Sequence, residues 1–144
     1  TWDDVASFAA DADMPVVLKG ILRTDDAVRA IDAGAAGIVV SNHGGRQLDT
    51  VPTPASVLPG IVDAVEGKLD VLVDGGVRRG GDVAKALALG ASAVLVGRPV
   101  LWGLARGGAR GAQEVLEQLI DEFEIALALL GCPRATELDR SFLR

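Results

Sequence analysis

Residues Ala33 to Ser41 read AGAAGIVVS, and residues Leu89 to Gly97 read LGASAVLVG. Each passage leaves a helix-like stretch at a glycine, crosses a linker of small residues and enters a run rich in Val, Ile or Leu. A repeat of that form marks a repeated βα unit and argues against a mixed α+β fold. Two more runs of the same character, Val16 to Gly20 and Val71 to Asp74, join Gly37 to Ser41 and Ala93 to Gly97. None alternates cleanly, as expected of parallel strands covered on both faces.

The segments between these runs carry helix punctuation. Thr24 is placed to cap a helix through Ala33, with Gly34 closing it in the left-handed conformation. Thr53 and Pro54 form a cap and first-turn pair for a helix to about Glu66. A third helix runs from Gly80 to Leu89 and is closed by Gly90. A short helix follows from Pro99 to about Ala105. A long amphipathic one spans Gln113 to Leu130, stopped by Gly131 with Pro133 beyond. Thr1 and Asp4 form a possible capping box for an opening helix.

Strand then helix, four times over, gives a parallel sheet with right-handed crossovers. Two α/β architectures fit: a small open doubly wound sheet, or half of an eightfold barrel. Lys19, Ser41, Asp74 and the pair Gly97-Arg98 lie at or just past the C-terminal ends of all four strands, where barrel enzymes place their chemistry. An open sheet concentrates its ligands at one switch point. The half barrel is therefore expected, as one domain over 1–144.

Composition narrows the function. About half of the 144 residues are apolar, which suits a globular core. A net charge of -6 argues against a nucleic-acid surface, so no nucleic-acid partner is expected. The single cysteine, Cys132, offers no intrachain disulfide. No apolar run is long enough to span a bilayer and no leader is seen, so a cytoplasmic protein is expected. The first residue is Thr and not Met, which suggests a fragment or processed form.

Three loops can carry chemistry. Ser41-Asn42-His43-Gly44-Gly45-Arg46 follows the second run and holds the one histidine of the chain. Imidazole titrates near neutrality, at about pH 6.5 in water, so it can take up a proton and return it. Arg46 offers a planar fork for a carboxylate. A base beside a carboxylate clamp suits proton removal next to an acid group, whereas a plain turn with His43 bonded to its own loop is the other reading. Asp74-Gly75-Gly76-Val77-Arg78 follows the third run, and its backbone N–H groups, leading into a helix N-terminus, suit an anion. Gly97-Arg98 follows the fourth and opens the short helix, a common phosphate position in barrels. Loops on adjacent strands can converge on one phosphate. Lys19 ends an apolar strand, facing either a ligand, a counter-charge or solvent. The acidic runs AVEGK and DEFE read as solvated helix faces, and Asp49, Trp102 and Cys132 have no assigned role.

LKGIL (Leu18 to Leu22), GIVVSNHGGRQLD (Gly37 to Asp49), VLVDGGVRRGGDVAKALALGA (Val71 to Ala91), VLVGRPVLWGLA (Val94 to Ala105) and DEFEIALALLGC (Asp121 to Cys132) resemble, in order and spacing, the FMN-dependent α-hydroxy-acid oxidases and dehydrogenases. That family includes the glycolate, lactate and mandelate enzymes, and the likeness is greatest to bacterial mandelate or 4-hydroxymandelate oxidases. The resemblance implies a TIM (β/α)8 barrel of which this chain is the C-terminal half, its last four units. It implies FMN as cofactor, and oxidation of an (S)-2-hydroxy acid of the mandelate, lactate or glycolate type to the 2-oxo acid. Electrons would pass to oxygen or another acceptor. By position, His43 matches the base and Arg46 the carboxylate-binding arginine. Lys19 and Ser41 match flavin contacts, and Asp74, Gly75, Gly76, Val77, Arg78, Gly97 and Arg98 match the ribityl and phosphate cradle.

The family also uses a tyrosine, a second arginine and an aspartate partner for the histidine from a preceding half. This chain has no tyrosine. The expected partners are a small 2-hydroxy acid, the missing N-terminal half of the barrel and, when complete, further copies in a homotetramer. Other phosphate-binding barrels, such as flavin-dependent isomerases or inosinate dehydrogenases, share a DGG-type loop but do not account for SNHGGRQ. A half barrel that binds phosphate or FMN without catalysis is the non-enzymatic alternative.

Overall fold

The computed structural model describes residues 1–143. Its elements alternate as α1 (Trp2–Asp11), β1 (Val17–Ile21), α2 (Thr24–Asp32), β2 (Gly37–Val40), α3 (Pro54–Val65), β3 (Asp70–Val73), α4 (Gly80–Ala88), β4 (Ala93–Val94) and α5 (Arg98–Leu130). A 3-10 turn at His43–Gly45 follows β2, and two more, Ala135–Glu137 and Arg140–Phe142, form the tail.

The sheet order is β1-β2-β3-β4, and every neighbouring pair is parallel. A doubly wound sheet reverses its strand order at a switch point. Here the chain advances one strand at a time without reversal, as in a βα barrel. The two faces of the sheet differ accordingly. Ile38, Val40, Val71 and Val73 pack with Ala27, Ala30, Leu58, Ile61 and Val65 of α2 and α3 into the main core. Lys19, Val39, Leu72 and Ala93 stand in register on the alternate positions, which point to the opposite face. Only β2 is buried along its whole length, so the expected two-sided cover holds at the centre of the sheet and not at its edges.

The sequence repeat is a repeat of helix ending. Gly34 (φ 79°) donates to the carbonyl of Ile31 and Ala35 to that of Ala30, both at 3.0 Å. Gly90 (φ 104°) donates to Leu87 at 2.8 Å and Ala91 to Ala86 at 3.1 Å. Both are Schellman closures, in which a glycine accepts the left-handed conformation and two terminal carbonyls are satisfied. Each then leads through two residues into a strand.

Two local expectations need correction and two hold. Thr24 is the first residue inside α2, and Arg23 is the cap; it is extended, and its carbonyl accepts from Ala27 at 3.1 Å. Thr53 and Pro54 are the cap and first turn of α3 as expected, with the Thr53 carbonyl, not its side chain, accepting from the Ser56 backbone (3.0 Å) and hydroxyl (2.8 Å). Strand β4 ends at Val94, because after Leu95 donates to Val73 (2.9 Å) the ladder with β3 stops. The two expected C-terminal helices are present as segments 98–106 and 109–130 of α5, separated by a break at Gly107 (φ -145°) and Gly108 (φ 61°). Segments 98–106 and 109–130 meet so closely that a Cβ on Gly103 would lie 2.3 Å from the Gly111 carbonyl oxygen.

The tail is clasped to the body. Cys132 and Leu138 pack on Ala84 and Ala88, and Arg140 grips Asp63 at 2.8 and 3.1 Å. Among the described residues no helix is long and apolar enough to cross a membrane.

Candidate functional site

The loop after β2 is built to expose an imidazole. Three successive residues, His43 (φ 56°), Gly44 (φ 68°) and Gly45 (φ 72°), take the left-handed conformation. For histidine this costs on the order of 1 kcal/mol. The cost is offset locally: the His43 N–H donates to the Ser41 hydroxyl at 3.1 Å, and Gly45 donates to the Asn42 carbonyl at 3.0 Å. Ser41 is itself 1% exposed, the buried polar anchor of the loop. The turn is real, but it bonds through the His43 backbone and leaves the ring exposed. A plain turn with the ring tied to its own loop is not what forms.

The same Ser41 oxygen accepts from Lys19 Nζ at 2.7 Å, and Lys19 Nζ lies 2.7 Å from Asp74 Oδ2. Lys19 thus meets a counter-charge. Asp74 Oδ1, by contrast, is buried without any hydrogen-bond partner. A buried carboxylate oxygen left unpaired is costly, and it is an acceptor waiting for a ligand donor such as a hydroxyl.

Beyond Asp74 the chain turns through Gly75 (φ 84°) and Gly76 (φ 85°), where a side chain would be strained. Val77 is buried beneath the turn. The amides of this loop divide into two sets. Those of Arg78 and Arg79 both donate to Asp82 at 3.1 Å, and that of Gly80 donates to Glu122 at 2.9 Å. Two carboxylates of the chain itself thus take three of the amides at the start of α4. The N–H groups of Gly75, Gly76, Val77 and Gly81 have no partner among the described residues and stay free for an anion. The Gly80 N–H, with the Gln118 amide and Arg79 next, holds the Glu122 carboxyl below its usual range. Glu122 is thus no solvated bystander, contrary to the reading of the DEFE run.

A cleft of about 380 Å³ opens over these strand ends. His43, Arg46, Asp74 to Arg78, Gly97 and Arg98 line it, and the Arg98 guanidinium comes close to Gly44 of the His43 loop. Lys19 and Ser41 stand behind Asp74 and reach the cleft through it. Gly97, at the cap of α5, has open space where a Cβ would be. Arg46, Arg78 and Arg98 form no ion pair among the described residues, whereas other groups of this acidic chain form nine, Lys19 with Asp74 among them. Three uncompensated guanidinium groups around one cleft make an anion site. A phosphorylated polyol fits the donor set: arginines and loop amides for phosphate, and the orphaned Asp74 oxygen for a hydroxyl.

Sequence reading passed over two participants. Asp82 had a local signal, an acid at the third position of α4. Trp102 had none; the Arg78 guanidinium lies 5.8 Å from the centre of its ring.

Comparison with known proteins gives a consistent result. The model of the FMN-dependent dehydrogenase family matches residues 1–144. The chain is 56% identical over 144 residues to 2-hydroxyacid oxidase 1 of Mus musculus, covering 100% of this chain and 39% of that protein. It is 60% identical over 132 residues to 4-hydroxymandelate oxidase of Amycolatopsis orientalis, covering 92% and 37%. The crystal structure of mandelate oxidase with benzoyl-formic acid superimposes with a TM-score of 0.94 at 57% identity, over 97% of this chain and 42% of that one. The chain therefore spans about two fifths of the length of the relatives it matches.

Proposed function

This chain belongs to the FMN-dependent dehydrogenase family, and from that premise we propose that residues 1–144 form the C-terminal half of a TIM-barrel flavoenzyme. The whole enzyme oxidises an (S)-2-hydroxy acid to the 2-oxo acid. The observation that carries this reading is the cleft itself. An exposed imidazole and three unpaired guanidinium groups surround it at the C-terminal ends of parallel strands.

The roles follow from chemistry and place. Arg46 anchors the substrate carboxylate through its planar fork. His43 takes a proton from the substrate at an imidazole nitrogen, held in the cleft by its backbone bond to Ser41. Arg78, Arg98 and the amides of Gly75, Gly76 and Val77 hold the FMN phosphate, with Gly97 leaving room for it. Asp74 accepts from a ribityl hydroxyl through its orphaned oxygen. Lys19 supplies positive charge beside the flavin ring, and Ser41 adds a contact there. Bound FMN supplies a two-electron acceptor, later reoxidised by oxygen or another acceptor.

Mandelate, 4-hydroxymandelate, lactate and glycolate are the substrate candidates, the first three supported by the mandelate, 4-hydroxymandelate and lactate oxidases among the relatives. We propose in addition that the other barrel half is an obligate partner and that the complete protein is a cytoplasmic homotetramer. Cys132, the single cysteine, is buried and free. Substituting His43→Gln tests the central role. Flavin reduction by substrate should be lost while FMN stays bound; turnover at the unsubstituted rate would remove His43 as the base.

A further inference from the structure

We propose that Trp102 is a positioning residue for the cofactor phosphate, holding the Arg78 guanidinium in place without neutralising it. This rests on reading the cleft as an FMN-phosphate site. Two arginines stand side by side after β3, and the structure treats them differently. Arg79 pairs with Glu122 at 3.5 Å, so its charge is compensated. Arg78 has no carboxylate partner among the described residues and instead lies over the Trp102 ring, 5.8 Å from its centre. That distance is within cation–π reach. An aromatic face fixes a guanidinium in orientation while leaving its N–H fork and its full charge for an anion.

The helix segment that carries Trp102 is anchored, and the ring itself stays half exposed beside Arg78. Trp102 lies four residues after Arg98, so helical geometry places both on one face of the first part of α5. That part cannot slide, because Gly103 and Gly111 approach too closely for a Cβ on either. The contact between segments 98–106 and 109–130 therefore holds the backbone that carries Trp102, the ring orients Arg78, and Arg78 and Arg98 line the same cleft from adjacent strands. Arg78 also lies on both the 380 Å³ cleft and a smaller cavity of about 240 Å³ lined by Trp102, which puts it on the wall between them.

The test compares two ligands that differ by the phosphate alone. FMN and riboflavin binding to the complete apoprotein would be measured for the unsubstituted protein, Trp102→Leu and Trp102→Tyr. Trp102→Leu should weaken FMN binding about three- to tenfold and leave riboflavin binding unchanged. Trp102→Tyr should restore most of the loss. In an Arg78→Leu background, Trp102→Leu should add little. Riboflavin binding reports in the same samples that the variants are folded. Equal weakening of both ligands, or no weakening of either, would overturn the positioning role. An unsubstituted protein that binds riboflavin as tightly as FMN would instead overturn the phosphate cradle, and the proposal with it.

Discussion

Lys19, at the centre of β1, places its ammonium 2.7 Å from the carboxylate of Asp74, just past β3, and so spans the intervening strand. The bridge passes over Ser41 at the end of β2, whose hydroxyl oxygen accepts from Lys19 at 2.7 Å and from the His43 backbone at 3.1 Å. One oxygen thus joins the lysine assigned to the flavin with the loop that carries the imidazole.

Removing the ammonium should therefore act on the flavin more than on the fold, since the Lys19 side chain is 45% exposed and its pair is partly screened. Lys19→Met is expected to lower the flavin midpoint potential and to slow reduction by substrate by about tenfold or more. Redox titration of the bound flavin checks this. An unchanged potential would detach Lys19 from the ring.

Two adjacent glycines should respond in opposite ways to the same substitution. A Cβ on Gly80 would lie 2.0 Å from the Phe123 nitrogen and 2.3 Å from the Glu122 carbonyl carbon, both backbone atoms. Gly80→Ala should cost about 3 kcal/mol or abolish folding. Gly81, in the same helix, has nothing within 4 Å of that position. Gly81→Ala should stabilise by about 0.5–1 kcal/mol through helix propensity and a less mobile unfolded chain. Denaturant unfolding of both variants checks the pair.

The acid side of the stability profile should report Glu122. Its carboxyl is held below its ordinary range, first by the Gly80 N–H and then by the Gln118 amide. A depressed carboxyl contributes stability that is present above the unfolded-state pKa, about 4.3 for glutamate, and is lost as pH falls through the lower folded value. Glu122→Gln should flatten this part of the acid limb and loosen the start of α4. Unfolding midpoints compared between pH 7 and pH 3 measure it; equal acid sensitivity in both proteins would remove Glu122 as the cap.

Much of this was legible in the sequence because it is local. Gly34 and Gly90 announce helix ends by residue type, and the polar residues that end apolar runs announce the mouth of a barrel. The remainder depends on partners distant in the chain. Nothing near Gly80 indicates that Glu122, 42 residues away, accepts its N–H, so the glycine-rich loop promised more free amides than it has. Trp102 was equally silent, since its importance lies in an arginine brought to it by an adjacent strand. The shortening of β4 was also hidden, because a strand ends where its ladder ends, and apolar composition does not record that.

The most direct measurement is the visible absorption spectrum of the complete purified protein, before and after anaerobic addition of (S)-mandelate and then lactate. A yellow protein whose flavin bands bleach with one of these acids is the expected result. A protein that holds FMN yet keeps its bands with every (S)-2-hydroxy acid offered would contradict hydroxy-acid oxidation at this cleft, and a colourless protein that takes up no added FMN would contradict the flavin site itself.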